Sequence, residues 1–372
     1  MKLGRNSKCW CGSDKKYKKC HLNRDQQKPI DQGDAHKASN AAKSKKYCSV
    51  PDGLKSSCKG KIINAHTVSK GSSLQEISDS TNHVLGLKIS LGNIKKGNGT
   101  LTPEKIGINQ ASTFKGFCAE HDKNLFSCVE DHPFAMNEDQ LFALAYRALC
   151  KEIYAKGSNE EVLDLLKESD KGKGIIDQLF TQEFASSYGL GVDTAVKELA
   201  VLKDKFDEHL LENEKLETCH LVITSETPCP VAVSSVLCPD VDFRGEIIQD
   251  LANLEVVPDC VIFNSFSSDG KGFVVFSWLK EAEIIEAFIE TLPKDDMESL
   301  KNAILRFFFS VSENLYISPT WWDALTDQQS ESLTERVMIG VNPFQEKNDA
   351  YLCDDGINFE GWDISSFTQI NL

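Results

Sequence analysis

The feature that most constrains this chain is a Cys-x-Cys-x8-Cys-His spacing near its start, the stretch CWCGSDKKYKKCH from Cys9 to His21. It places Cys9, Cys11, Cys20 and His21 within thirteen polar residues. So short a segment cannot build a hydrophobic core, and its order has to come from a staple. Thiolate sulfur and imidazole nitrogen are the donors that a tetrahedral zinc ion takes. When such an ion binds, its binding energy becomes folding energy. Gly12 gives the chain freedom to turn after the first pair. Lys15, Lys16, Lys18 and Lys19 favour the deprotonated thiols that a metal needs. A disulfide would use two of the cysteines and leave His21 without a role.

The residues around these ligands resemble the SEC-C motif. Gly4, Arg5, Asn6, Cys9, Cys11, Gly12, Ser13, Lys15, Lys16, Tyr17, Lys18, Cys20 and His21 all fit its pattern. Lys8, Trp10 and Asp14 depart from it, and none of them is a ligand. The resemblance implies zinc held by Cys9, Cys11, Cys20 and His21, a bacterial origin and a docking module. The motif closes the preprotein translocase ATPase, where it contacts a chaperone partner, and it is appended to many unrelated bacterial proteins. It therefore says little about activity.

A second group follows. Cys48 and Cys58 precede GKIINAHTVSK, and Cys118 and His121 stand in GFCAEHDKNLF. One pair on a knuckle and one pair at a helix start is a treble-clef arrangement, again suited to zinc. Residues 47–136 resemble a diverged HNH or related treble-clef module. That resemblance implies that His66, between the two pairs, is a general base activating water beside a Mg or Mn ion. In many such proteins a metal ligand precedes the base, and here the residue is Ala65. Asn82, His83 and Asp122 are candidates for the remaining polar roles. Two other readings of His66 stand beside this one: a zinc ligand replacing Cys48 or Cys58, and a hydrogen-bonded structural histidine.

Charge divides the chain. Residues 1–70 hold 17 Lys or Arg against 5 Asp or Glu, a balance of +12, which leaves −15 − 12 = −27 on the other 302 residues. A basic head on an acidic body predicts that residues 1–70 meet nucleic acid or an acidic protein partner. No apolar run is long enough to span a membrane, and the start MKLGRNSKCWCG lacks the apolar core of a secretory signal. With 13 cysteines and no signal, the expected setting is a reducing cytoplasm. Cys150, Cys219, Cys229, Cys238, Cys260 and Cys353 then read as small, separate, buried side chains.

The expected fold class is α+β. The ranges are a zinc clip at 1–23, a linker at 24–46, the treble-clef or HNH-like module at 47–136, a helical region at 137–217 and an α+β domain at 218–372. The linker is polar, with some helix near AHKASNAAKSKK, and includes a solvated His36. GKIINAHTV and NHVLGLKISL read as strands, SSLQEIS as a short helix and NIKKGNGTLTPEKIG as a loop or hairpin tip. EDQLFALAYRALCKEIYAK and NEEVLDLLKES read as two helices. QEFASSYGLGVDTAVKELAVLKDKFDEHLLENEK reads as one long helix, or as two broken at Gly189 and Gly191. Its last part has the spacing of a coiled-coil contact, so a homo-oligomer is an expectation. CVIFNSF and GFVVFSW flank SSDGK as a hairpin. KEAEIIEAFIETL and KDDMESLKNAILRFFFSVSEN read as helices, and the tail INFEGWDISSFTQINL is apolar enough to pack on the body. The leading functional expectation is a bacterial zinc-binding protein that docks through its basic head. The alternative is an HNH-like metal-dependent nuclease, a toxin or phage-defence effector, with His66 as base.

Overall fold

The computed structural model describes residues 3–31, 33, 37, 41, 44–87, 101–212, 215–341 and 348–372, without the side chains of 159–161, 340 and 341. His36, most of the helix expected near AHKASNAAKSKK, and the part of the loop or hairpin tip before residue 101 lie outside these residues. The fold is α+β, as the sequence predicts, and it groups into two compact units. One comprises Met1–Lys46 and Ile153–Val201, the other Tyr47–Glu152 and Leu202–Leu372. No helix among the described residues is long and apolar enough to cross a membrane.

The first unit holds the Cys9–His21 stretch and parts of two long helices, α2 (Glu138–Glu168) and α3 (Ile175–Glu212). α2 is continuous where two helices were expected, and α3 takes the single-helix form of the two that the sequence allows. α2 runs through Gly157 and α3 through Gly189 and Gly191. Gly189 is where α2 comes close: a Cβ there would lie 2.7 Å from the Leu163 side chain. The glycine thus serves close helix packing, which offsets its poor helix propensity of roughly 1 kcal/mol.

The second unit is built on an eight-stranded antiparallel sheet. Its strands are β2 (His83–Gly86), β3 (Glu104–Gly107), β5 (Thr218–Ser225), β6 (Val231–Leu237), β7 (Val261–Ser268), β8 (Lys271–Leu279), β9 (Leu315–Ile317) and β10 (Ile364–Asn371). They are ordered β10-β5-β8-β7-β6-β9-β2-β3. β7 and β8 form the expected hairpin. Its turn places Asp269 and Gly270 at φ 51° and 75°, the left-handed pair that a two-residue turn needs. The period-two alternation buries both faces. Leu221 and Ile223 of β5 join Phe276 of β8 in the main core, while Val222 and Val275 point the other way, onto Leu141 of α2.

The main core is closed by α4 (Glu283–Glu290) and α5 (Met297–Val311). Asp296 caps α5 by accepting from the Ser299 N–H. Phe307 is fully buried among Phe243, Phe263, Phe276 and Phe288, with ring centroids 4.7–6.1 Å apart. α6 (Pro319–Ala324) starts on its proline, and α7 (Asp327–Val341) lies on α5. The tail packs on the body as expected, with Phe359 and Trp362 buried, and then adds β10 at the sheet edge.

One cysteine expectation is corrected. Cys238 and Cys260 are joined in a disulfide rather than standing separately. The β6–β7 register pairs Leu237 with Val261, so the next residue on one strand and the preceding one on the other sit side by side. Among the others, Cys150, Cys219 and Cys229 are buried free thiols and Cys353 is half-buried.

A separate two-stranded antiparallel sheet also belongs to the second unit. β1 (Ala65–His66) pairs with β4 (Thr113–Phe114), and α1 (Ala119–Glu130) follows.

Candidate metal centres

The N-terminal stretch closes on itself through backbone bonds. Cys9 N–H donates to Lys15 O, Tyr17 N–H to Ser7 O and Lys18 N–H to Arg5 O. The turn between uses Gly12 at φ 75° and Asp14 at φ 56°. A 3-10 turn at Tyr17–Lys19 then presents Cys20 and His21 to the first pair of cysteines. His21 Nδ1 lies 3.2 Å from Cys9 Sγ and 3.1 Å from Cys20 Sγ, and Cys11 Sγ is 3.5 Å from Cys20 Sγ. All four donor atoms fall within 4.8 Å of one another. A tetrahedral ion with bonds of about 2.0–2.3 Å holds its ligands roughly 3.5–3.8 Å apart. The quartet is therefore shaped to hold one metal ion.

The other face of His21 is also committed. Its Nε2 lies 2.9 Å from Asp170 Oδ2, with both side chains buried. Asp170 accepts in addition from Arg24 Nε and from Gln182 Nε2. Arg24 also donates to the Lys167 carbonyl, and its own carbonyl accepts from Gly172 N–H. A carboxylate on the far ring nitrogen fixes the imidazole tautomer so that Nδ1 offers its lone pair to a metal. Arg24 balances the Asp170 charge. Gly172 must be glycine in this turn: its φ is 77°, and a Cβ would meet Pro29 at 2.8 Å.

The second quartet joins the expected four residues. His121 Nδ1 lies 3.5 Å from Cys48 Sγ, 3.5 Å from Cys58 Sγ and 3.3 Å from Cys118 Sγ. Cys118 caps α1, and its N–H points at Cys48 Sγ. Ala119 N–H bonds Lys61 O, which draws the Cys58 loop onto the helix start. His121 Nε2 is held by Ser57 Oγ at 3.0 Å. These four donors also lie within 4.8 Å of one another.

Electrostatics agree with a shared ion. Burial, with Cys11 beside it, pushes the Cys20 thiol up to about 12. Burial opposes ionisation of Cys11 too, yet hydrogen bonds from Ser13 and from its neighbouring thiols hold it below its ordinary value. In the second quartet burial, then Cys48 and Cys118, raise Cys58 to about 11, while Cys118 is lowered against burial by backbone N–H groups. Three thiolates cannot crowd together unaided, and a divalent cation is what lets all of them lose their protons.

His66 stands outside both quartets. Its Nε2 is 3.1 Å from the Ile108 carbonyl, and its own carbonyl accepts from Arg147. Burial lowers its pKa, which favours the neutral ring. The charged groups acting on it are Glu130, Lys70 and Arg147, one anion against two cations. Among the described residues no group of three metal-ligating side chains includes His66. His83 is turned to the Thr81 carbonyl, and the Asn82 side chain accepts from Gln75. Asp122 is raised to about 6, by burial first. These residues do not fit a second, catalytic cation.

Asp170, Arg24 and Ser57 are the functional residues that sequence reasoning missed. Asp170 stands 149 residues after His21 in a Ser-Asp-Lys-Gly turn, and nothing local marks it.

Among protein-family models, that of the SEC-C motif matches residues 5–23. Neither the curated proteins nor the solved structures compared with the chain gave a match.

Proposed function

We propose that this chain is a two-zinc docking protein whose basic head grips a polyanion, in the first instance nucleic acid. One observation carries the reading. The first Cys3His quartet is rimmed by the exposed Lys15, Lys16, Lys18 and Lys19, none of which is in an ion pair among the described residues. A sulfur-rich tetrahedral donor set selects zinc over harder cations. The metal would hold the short clip rigid, and the lysines would then present fixed charge to phosphates. The acidic remainder of the chain repels a polyanion and confines the contact to the head. Eleven unpaired cysteines support a reducing compartment such as the bacterial cytoplasm, with Cys238–Cys260 as the exception.

The test is binding of labelled single- and double-stranded nucleic acid across a salt series. Four phosphate contacts give a log–log slope of about −3 to −4. Changing the four lysines to Gln should flatten that slope and weaken binding. Binding that ignores salt points instead to a protein partner recognised by shape. Absence of binding, with both metals in place, refutes the reading.

A second reading keeps His66 as the base of an HNH-like nuclease, active in toxin or phage defence with Mg or Mn. Its support is the ring itself: Nε2 donates to the Ile108 carbonyl, which leaves Nδ1 to accept a proton from water. Among the described residues no ligand set for the catalytic cation includes His66. Cleavage of plasmid or RNA that is equal in wild type and His66→Ala removes this reading.

A further inference from the structure

Arg147 of α2 carries a positive charge into the interior of the second unit and leaves part of its hydrogen bonding unused. The residue is only 2% exposed. Its Nη1 donates to the His66 carbonyl, and its Cζ lies 4.1 Å from the centre of the Phe126 ring. The part-exposed Glu130 carboxylate is 3.0 Å from Nη2, yet neither Nη2 nor Nε makes an aligned hydrogen bond. A guanidinium has five N–H donors and stays charged. Burial works against that charge, and a buried donor without a partner carries a desolvation cost that a ligand would relieve.

Arg147 lines a cavity of about 20 Å³. It is the one charged residue around that cavity, and no carboxylate lines it. Ser73 is committed: its Oγ donates to the Ser267 carbonyl and accepts from the Ser267 N–H, which fixes the 69–74 turn on β7. The Ser69 and Ser72 hydroxyls also line the cavity, are half-buried, and have no hydrogen-bond partner among the described residues. Val129, Leu144 and Phe266 supply an apolar wall, and hydrogen bonds to a charge are stronger in such surroundings than in water. Unused donors beside a fixed cation, with no acidic group among them, suit a negative ion. A water would satisfy one donor, but it brings no charge to a guanidinium whose paired carboxylate is part-exposed. We infer that this cavity holds one compact inorganic oxyanion of the phosphate or sulfate class, bound by Arg147 Nε and the hydroxyls of Ser69 and Ser72. The volume excludes organic ligands, whose pockets run to roughly 300–1,000 Å³. The site goes beyond the docking reading, since it belongs to the second unit and the head lysines belong to the first. The ion would join α1, α2 and the 69–74 turn, and so stabilise the folded chain.

The experiment is calorimetric titration of the metal-loaded full chain with sulfate and with inorganic phosphate at constant ionic strength, joined to thermal melts over the same series. One ion should bind per chain, and the melting temperature should rise with its concentration. Ser69→Ala with Ser72→Ala should weaken binding at least ~10-fold, through the loss of two hydrogen bonds to an anion. Both sites are half-buried, so metal content and circular dichroism should stay as in wild type. Glu130→Gln should tighten binding at least ~4-fold, the effect of one charge about 5 Å away even at the dielectric of water. An arginine with a merely structural role would give no such gain. No uptake at millimolar concentrations overturns the proposal and assigns the cavity to water. Uptake that neither variant changes is an adventitious ion only, gathered by surface lysines, and overturns it as well. A nucleoside monophosphate that binds as tightly as the free ion overturns the assignment to an inorganic ion.

Discussion

Replacing Asp170 by Asn tests whether the N-terminal clip is a self-sufficient motif or part of a larger unit. The carboxylate is fully buried and accepts from His21, Arg24 and Gln182. Losing a carboxylate behind a metal-binding histidine costs roughly 10–100-fold in metal affinity, which is about 1.4–2.7 kcal/mol. A second loss falls on Arg24. Its buried guanidinium loses its ionised partner and is left with the neutral Asn oxygen, the Lys167 carbonyl and the half-exposed Glu168. Breaking a buried pair costs about 3–5 kcal/mol. Folding of the clip and metal binding are one equilibrium, so part of that penalty also appears as lost affinity. Asp170→Asn should therefore weaken metal binding at the first quartet by ~100- to 1,000-fold. The second quartet shares none of these residues and serves as the internal standard.

The assay is titration of loaded protein with a graded chelator, counting ions released. Wild type should give up both ions only to a strong chelator. Asp170→Asn should give up one early and keep the other. Adding Arg24→Met removes the stranded charge and should recover the ion-pair share of the loss, leaving the histidine share. If Asp170→Asn releases both ions as wild type does, Asp170 has no hold on His21 and the reasoning fails.

Three further outcomes are expected. His220, buried between Thr218 and Ser277, is pushed down to about 4 by burial, so the folded state binds fewer protons than the unfolded one. Stability should then be full above pH 6.5 and fall by about 3 kcal/mol towards pH 4; denaturant melts should show His220→Gln with a flatter profile, and an unchanged profile contradicts the assignment. Phe307→Ala, at the centre of the aromatic core, should cost about 3–5 kcal/mol in the same melts, and a loss below 1 kcal/mol would mean the core collapses onto the gap. Gly172→Ala, at positive φ against Pro29, should cost at least ~1 kcal/mol and ease metal release from the first quartet only, read by the same chelator titration.

What could be read from the sequence follows the range of the interactions. Both quartets were legible because the ligands come in pairs a few residues apart, and the chemistry of three sulfurs and a nitrogen is specific. The β7–β8 hairpin was legible because Asp-Gly fixes the turn and the flanking strands fix the register. The choice between one continuous α3 and two helices was not. Gly189 looks like a break until Leu163 is seen beside it, and that contact depends on tertiary packing. The Cys238–Cys260 bond was hidden for the same reason, since it needs the register of two strands joined by a long loop. His66 shows the limit from the other side. Its place between two ligand pairs suggested a catalytic role, while the charged groups acting on it are Glu130, Lys70 and Arg147 and no group of three ligating side chains among the described residues includes it.

The Asp170 contact also changes how the docking role should be tested. A clip ordered by metal alone could be cut away as a handle, and whatever it binds would be lost with it. Here, removing residues 1–23 would take His21 from Asp170 and leave that fully buried carboxylate against Arg24 and Gln182 at the opened turn. A buried carboxylate that loses a hydrogen-bond donor destabilises its surroundings by about 1.5–3 kcal/mol. Asp170 lies in the α2–α3 turn, so the start of α3 would be disturbed as well. A truncation that abolishes binding would then report damage to the turn as readily as loss of a contact surface. Substituting the exposed Lys15, Lys16, Lys18 and Lys19 leaves every one of these bonds in place. Only that change would separate the charge proposed to meet a polyanion from the candidate metal site beneath it.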